Sequence, residues 1–242
     1  MPTDPLSIAA IAAVLLLALS WHEAAHAWVA DRLGDPTARK LGRVTLNPLK
    51  HLDPFFSVIL PIGLLITVGV AFGGGKPVPI DPRYFKRQAR DFMLVALAGP
   101  GSNLLLAGIF GLVFVGCVWT GAIPEGIAGA VFGEGIPYAK RLADQPETML
   151  HEFLFMGVYI NVILALFNLM PIPPLDGSRV IGWLLPRFAQ RRWYSLDRVG
   201  ILIVMVFFFA LDGFEYLLPI IEGTFAGYDE ALAWLADLNP IA

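Results

Sequence analysis

Charged side chains are scarce in this sequence, and their scarcity excludes an ordinary soluble domain. Of the 242 residues, 15% are Asp, Glu, Lys or Arg and 57% are hydrophobic, with a mean hydropathy of +0.67. Soluble domains carry about 25% charged residues. The chain is therefore expected to be an integral membrane protein that has the lipid bilayer as a partner. A net charge of −3 gives no sign of a nucleic-acid partner, and none is expected.

Cysteine and histidine are also rare. The single cysteine, Cys117, excludes an internal disulfide. Four histidines are too few for a di-iron membrane oxygenase, which needs two histidine-rich metal sites. No Lys or Arg precedes the first apolar run, and no cleavage site follows it, so we expect a retained first helix and not a signal peptide.

Long apolar runs make up much of the chain. A transmembrane helix needs about 20 predominantly apolar residues. We therefore predict an all-α polytopic membrane protein with about four to six transmembrane helices. It is expected to form one domain over 1–242, with a core over 6–185 and an additional C-terminal helix at about 200–221. The apolar runs cover about 6–30, 54–72, 92–120, 153–170 and 200–221.

The 17 Lys and Arg residues are distributed unequally between these runs. Five lie in 31–53, five in 73–91 and five in 176–198, whereas six acids and no base follow residue 199. Because cytoplasmic segments are enriched in Lys and Arg, we predict that these three segments are cytoplasmic. The N-terminus, the 121–152 loop and the acidic tail are then predicted to lie outside.

Two cytoplasmic segments flank the apolar run 54–72, which conflicts with a single crossing of the membrane. Pro61 and Gly63 near the middle of the run favour a break in a helix. We therefore interpret 54–72 as a re-entrant or in-plane segment. The alternative is an ordinary span that violates the charge rule.

Residues 22–26 have the sequence His-Glu-Ala-Ala-His, an HExxH motif at the end of the first apolar run. Histidines four residues apart share one face of a helix and can bind one zinc ion, while the adjacent Glu23 can activate water. Ionisable groups in a transmembrane helix are costly without a partner, so a chance match is the weaker interpretation. A helix from Pro5 reaches His22 after about 26 Å, near the cytoplasmic face of a core about 30 Å thick.

A hydrolytic zinc site needs a third protein ligand and an open position for water. Asp176 follows an apolar run that ends on the cytoplasmic side, and the prolines before it prevent a continuing helix. His151 is predicted on the opposite side and His51 in a basic loop, so we favour Asp176. The alternative for Pro-Pro-Leu-Asp-Gly is a turn with a capping aspartate.

Taken together, the motifs resemble those of the site-2 protease family, a family of intramembrane zinc metalloproteases. The resemblance rests on HExxH, on Gly-Pro-Gly-Ser-Asn at 99–103 and on Asn-x-x-Pro-x-x-x-Leu-Asp-Gly within 168–177. It implies that Glu23 is the catalytic base and that one zinc ion per chain is bound by His22, His26 and Asp176. It also implies that Asn103 and Asn168 line the site and hold the substrate backbone. Hydrogen bonding between helices is the alternative role for these two amides.

The resemblance further implies a short membrane-associated β element. In the family, a loop after the catalytic helix returns to the membrane and offers a strand edge to the substrate. The candidate strands here are 41–46 and Lys76-Pro77-Val78-Pro79. Edge pairing is a physical way to hold an extended peptide, and prolines restrict such a strand to an edge. A simple linker is the alternative.

The sequence thus predicts a zinc metalloendopeptidase that hydrolyses peptide bonds in or near transmembrane segments of membrane protein substrates. Its active site is expected near the cytoplasmic face of a bacterial or archaeal cell membrane. The alternative is a proteolytically inactive zinc-binding scaffold or transporter. The family's PDZ or nucleotide-sensing domains have no room in the 32-residue loop at 121–152 or in the 21 residues after 221. Control is therefore expected from the membrane elements themselves or from a separate regulatory membrane protein.

Overall fold

The computed structural model of the chain describes residues 5–53, 59, 74–123 and 149–238, and helices dominate these residues. Three short 3-10 turns lie at Pro48–Lys50, Pro82–Tyr84 and Leu196–Val199. The α-helices are α1 (Pro5–Arg32), α2 (Thr37–Lys40), α3 (Gln88–Trp119), α4 (Met149–Asn168), α5 (Gly177–Leu184), α6 (Arg187–Ser195), α7 (Gly200–Ala210) and α8 (Gly213–Asp237).

Within the described residues, four helical stretches are long and apolar enough to cross a membrane. They are Ala9–Arg32, Gln88–Trp119, Leu150–Asn168 and Arg187–Ala210, the last of which runs through α6, a 3-10 turn and α7. At 1.5 Å per residue, α1 and α3 each exceed the roughly 30 Å of a hydrocarbon core. The predicted all-α polytopic fold is confirmed, and the protein is a multi-pass membrane protein. The predicted re-entrant segment, 54–72, falls almost entirely outside the described residues.

The C-terminal apolar run differs from the prediction, because the single helix expected at about 200–221 is two helices. Asp212 has a φ of 50°, a left-handed conformation that ends α7, and Gly213 begins α8. A Cβ on Gly213 would lie 2.8 Å from Phe207 O, so the turn requires glycine. The Asp-Gly pair is a turn signal that the hydropathy of the segment conceals.

Contacts divide the chain into two compact units. The first comprises Met1–Leu15, Leu104–Leu166 and Met205–Ala242. Its described core is aromatic: the rings of Phe110 and Phe153 have centroids 5.7 Å apart, and those of Tyr159 and Phe225 stack at 4.9 Å. These pairs join α3 to α4 and α4 to α8, so that the three helices bury their apolar faces against each other.

The second unit comprises Leu16–Asn103 and Phe167–Val204, and it contains every residue of the candidate site. Buried Ala30, Phe85 and Val95 form a small core that joins α1, the 80–87 segment and α3. Asp35 is fully buried and accepts hydrogen bonds from the backbone N–H groups of Thr37 and Asp81. A buried carboxylate needs such donors, and these two fix the loop after α1 against the 74–87 segment.

The two candidate strands, 41–46 and 76–79, are irregular, and the described residues contain no strand. The segments nevertheless lie side by side. The Arg43 guanidinium donates to the carbonyl oxygens of Lys76 and Pro77, and Lys76 N donates to His51 O at 2.7 Å. The Arg43 side chain therefore joins the two segments, and edge pairing with a substrate stays a prediction.

Candidate metal centre

The two histidines of the HExxH motif, His22 and His26, lie on adjacent turns near the C-terminal end of α1, and their side chains point toward the same place. Their rings are nearly perpendicular, with centroids 4.5 Å apart, and both side chains are buried. The two Nε2 atoms lie 3.0 Å apart. The spacing of four residues places one ring above the other on the same helix face, as the sequence predicted.

Asp176 lies beside these nitrogens, between the proline-rich loop that follows α4 and the first turn of α5. Its Oδ2 atom is 3.2 Å from His22 Nε2 and 3.3 Å from His26 Nε2. The three donor atoms therefore form a nearly equilateral triangle. A tetrahedral ion with bonds of 2.0–2.1 Å separates its ligand atoms by about 3.3 Å, so the triangle has the dimensions of three zinc ligands.

The other ring nitrogens determine which tautomer each histidine adopts. His26 Nδ1 lies 2.7 Å from Val95 O, and His22 Nδ1 lies 2.6 Å from Asn103 Oδ1. Asn103 Nδ2 donates to Ala18 O, which fixes the orientation of the amide. Since both oxygens can only accept, each Nδ1 carries the proton, and each neutral ring directs its Nε2 lone pair into the triangle.

The donor set fits a divalent cation. Asp176 Oδ2 is buried and receives no hydrogen bond from the described residues. A proton on one ring could be shared by only two of the three atoms. A zinc ion would instead bind both Nε2 lone pairs and the Asp176 carboxylate at once. Oxygen acceptors behind each histidine are also the usual partners of zinc-bound imidazoles. His22, His26 and Asp176 are the residues that would hold the ion.

The charge state of Asp176 suits a metal ligand. Burial opposes ionisation of this carboxyl, but without a metal ion the positive charge of a protonated His26, together with the neighbouring His22, outweighs that effect and holds the pKa of Asp176 well below the ordinary range. The carboxylate is therefore ionised at neutral pH, with a negative charge available to a cation.

Glu23 lies next to the two histidines in sequence, and its carboxylate faces the 74–76 segment. A Cβ on Gly75 would lie 3.2 Å from Glu23 Oε1 and 3.2 Å from His51 O. Glu23 is half-buried, so it is neither enclosed in the core nor freely solvated. The role of Glu23 as the general base stays a prediction.

The alternatives for the third ligand are not brought to the triangle. His51 is buried, and its Nε2 lies 2.7 Å from Thr45 O. His151 packs against Phe114, with ring centroids 5.4 Å apart. Among the described residues, Asp176 is the third metal-ligating side chain that clusters with His22 and His26.

The two predicted amides have different positions. Asn103 is fully buried and contacts α1 at both His22 and Ala18, which corresponds to the interhelical alternative and places it behind a ligand. Asn168 is the last residue of α4 and is half-buried. A role for Asn168 in holding a substrate stays a prediction.

Sequence analysis missed the role of Gly99. A Cβ on this residue would lie 2.5 Å from His26 Cε1 and 2.6 Å from His22 Cε1, so both candidate ligands pack on its bare backbone. Gly177 has a similar role beside Asp176, because its Cβ would lie 2.5 Å from Met170 O. The glycines of Gly-Pro-Gly and Asp-Gly were the available signals, but only the packing shows what each one faces.

Comparisons with known proteins agree with this chemistry. The model for peptidase family M50 matches residues 10–211. The chain is 35% identical over 220 residues to YwhC of Bacillus subtilis, which covers 90% of this chain and 87% of YwhC. It is 34% identical over 191 residues to Rip2 of Mycolicibacterium smegmatis, which covers 79% of this chain and 63% of Rip2. The names of both proteins describe them as zinc metalloproteases.

A shorter match reaches an archaeal protein. The chain is 30% identical over 89 residues to MJ0611 of Methanocaldococcus jannaschii, which covers 37% of this chain and 32% of MJ0611. No solved structure matches the chain. Because the family model covers most of the chain and YwhC is similar along nearly all of it, the chain belongs to peptidase family M50, the site-2 protease family, and is a zinc metalloprotease.

Proposed function

We propose that this protease is an intramembrane endopeptidase that binds one zinc ion through His22, His26 and Asp176. The observation that carries the proposal is the triangle of donor atoms, with edges of 3.0, 3.2 and 3.3 Å, in which two of the three donors lie on a helix long and apolar enough to span a membrane. A site at that depth is accessible to a peptide that is itself in the membrane. The proposed substrates are therefore transmembrane segments of other membrane proteins.

Glu23 performs the proton transfers in the proposed reaction. A zinc ion held by His22, His26 and Asp176 would act as a Lewis acid that polarises the scissile carbonyl and lowers the pKa of a water molecule. Glu23 accepts a proton from the attacking water while the oxygen–carbon bond forms, and donates it to the amide nitrogen as the carbon–nitrogen bond breaks. The products are a carboxylic acid and an amine, and Glu23 returns to its starting state. His22, His26 and Asp176 keep their positions throughout.

The neighbours of the histidines keep the site ready for this reaction. Val95 O and Asn103 Oδ1 hold the ring protons on Nδ1, and Gly99 leaves room for both rings. A transmembrane helix must unwind locally before its carbonyl can enter the site, and each exposed backbone group is costly in hydrocarbon. We propose that Asn168 offers such groups a hydrogen-bonding partner.

The proposed location is the cell membrane of a bacterium or an archaeon, with the site near the cytoplasmic face. Support comes from the basic segments 31–53, 73–91 and 176–198 and from relatives in both groups of organisms. A separate regulatory membrane protein is the proposed source of control.

Substitution of the base tests the proposal. We expect Glu23→Gln to retain one zinc ion per chain while cleavage of a model transmembrane substrate falls by at least about 100-fold, since general-base catalysis contributes about 100- to 10,000-fold. Zinc content by atomic absorption and cleavage in detergent or liposomes are the measurements. Glu222→Gln, an exposed carboxylate on α8, is the matched control and should cleave normally. Chelation should abolish wild-type cleavage, and added zinc should restore it.

Two results would contradict the proposal in different ways. Normal turnover by Glu23→Gln would refute the role of Glu23 as the base. Stoichiometric zinc with no cleavage by the wild-type protein, across a panel of transmembrane peptides, would favour the alternative of a zinc-binding scaffold or transporter.

A further inference from the structure

Residues 193–200, which we call the brace segment, pack along the part of the chain that carries Asp176. Trp193 Nε1 donates to Ser178 O at 2.7 Å. A Cβ on Gly182 would lie 2.5 Å from Tyr194 Oη, and a Cβ on Gly200 would lie 2.6 Å from Pro174 Cδ. The brace segment therefore contacts this stretch both before and after Asp176, at distances that leave no room for added side chains.

An ion pair joins the brace segment to the first turn of α5. Arg179 Nη1 lies 2.8 Å from Asp197 Oδ2, and the two side chains are 14% and 32% exposed. The backbone N–H of Arg179 donates to Asp176 O at 2.9 Å. Asp197 Oδ1 is buried and has no hydrogen-bond partner in the described part of the chain, so the carboxylate depends strongly on Arg179.

The same guanidinium also contacts α3. Its central carbon lies 5.0 Å from the centre of the Phe92 ring and 5.5 Å from that of Tyr194. Phe92 precedes Val95 by one helical turn, and Val95 O is the acceptor for His26 Nδ1. One turn of α3 thus supplies the acceptor for His26 and also contacts Arg179, three residues after Asp176. The proposed ligands His26 and Asp176 are therefore both supported by this turn of α3, although 150 residues separate them in sequence.

We propose that Arg179 and Asp197 form a positioning pair that holds Asp176 at the metal. Asp176 follows a proline-rich loop that lacks a helical hydrogen-bond ladder, so its position depends on the contacts of the residues after it. An exposed ion pair would contribute little, but this pair is partly buried and lies against two aromatic rings. The proposal rests on the zinc site described above and adds two residues that do not touch the ion.

Zinc affinity tests the pair directly. We expect Arg179→Ala and Asp197→Asn each to raise the zinc dissociation constant by about 10- to 100-fold, the usual effect of losing a residue that orients a ligand. The constant is measured by chelator competition on the full chain in detergent. The visible absorption of cobalt(II) bound in place of zinc should also change, because it reports coordination geometry. Arg191→Ala removes an exposed arginine of α6 and should change neither quantity.

The double variant distinguishes a pair from two independent residues. If Arg179 and Asp197 act through each other, Arg179→Ala with Asp197→Asn binds zinc about as weakly as either single variant. Fully additive losses would overturn the pairing. Wild-type zinc affinity and an unchanged cobalt spectrum in folded single variants would overturn the positioning role.

Folding is checked by circular dichroism and thermal melting. If Arg179→Ala does not fold, Asp197→Asn decides the question, because it keeps the side-chain volume and removes only the charge. A wild-type protein that binds no zinc would overturn the proposed function and this inference with it. Wild-type binding with unaffected variants would overturn this inference alone.

Discussion

Gly99 is the residue at which the candidate metal centre tolerates no side chain. Both histidine rings pack on its backbone, and a Cβ there would lie 2.5–2.6 Å from their Cε1 atoms. We predict that Gly99→Ala raises the zinc dissociation constant at least about tenfold, as expected when the orientation of ligands is disturbed. Alanine is the better helix former by about 1 kcal/mol, so a loss of zinc binding would not reflect a weaker helix.

Gly101 provides the matched control for this substitution. It lies two residues further along α3, and a Cβ there would meet no atom within 4 Å. Gly101→Ala should therefore bind zinc like the wild-type protein and melt at the same or a slightly higher temperature. Chelator competition measures both variants, and equal zinc affinity for Gly99→Ala and wild type would show that the rings move aside freely.

At the scale of the helix, one face of α3 supports the whole candidate site. Phe92, Val95, Gly99 and Asn103 follow each other at spacings of three, four and four residues, which is the repeat of one helix face. In order, they contact Arg179, His26, both histidines, and His22. The helix therefore orients the ligands without supplying one.

Asn103 tests this role for α3. Asn103→Leu keeps a similar volume but removes the acceptor for His22 Nδ1, so we expect zinc to bind about 10- to 100-fold more weakly. Leu105→Ala, at a 61% exposed position on the same helix, should leave zinc binding unchanged. Chelator competition and steady-state kinetics distinguish the two roles of the amide. If Asn103 instead holds the substrate, zinc affinity stays normal and the KM rises.

The elements also show which parts of the site the sequence could predict. Periodicity places His22 and His26 on one face, and the charge distribution delivers Asp176 to the same depth. By contrast, the roles of Gly99 and of the Arg179–Asp197 pair depend on how closely particular helix turns approach each other. No local pattern encodes that approach. The Asp-Gly pair at 212–213 could have predicted the break between α7 and α8, but the apolar residues around it favoured one continuous helix.

At the scale of the whole molecule, the topology can be judged from hydrogen bonds between the residues before 54 and those after 73. The residues between them, 54–58 and 60–73, lie outside the described part of the chain. Asp35 accepts from Asp81 N at 2.7 Å, and Lys76 N donates to His51 O at 2.7 Å. The segments before and after 54–73 therefore lie at the same depth within one compact unit. A single straight crossing would separate them by roughly 30 Å. The hydrogen bonds support a common side of the membrane for the two flanking segments.

Cysteine labelling tests this topology. In a Cys117→Ser background, we predict that Lys50→Cys and Lys86→Cys react with a membrane-impermeant maleimide only after cells are permeabilised. Glu230→Cys, in the acidic C-terminal region that lacks bases, should react in intact cells. All three positions are exposed, and the parent without cysteine is the control for background labelling.

The pair of lysine positions decides whether the two flanking segments lie on the same side of the membrane. Labelling of Lys86→Cys but not Lys50→Cys in intact cells would place 31–53 and 73–91 on opposite sides and establish an ordinary span. That result would conflict with the direct hydrogen bonds between these segments, since a donor and an acceptor 2.7 Å apart cannot face different aqueous phases. Labelling of both lysine positions in intact cells would instead reverse the orientation and place the candidate site near the outer face. The predicted pattern, with both protected, is the one that satisfies the hydrogen bonds and the charge distribution together.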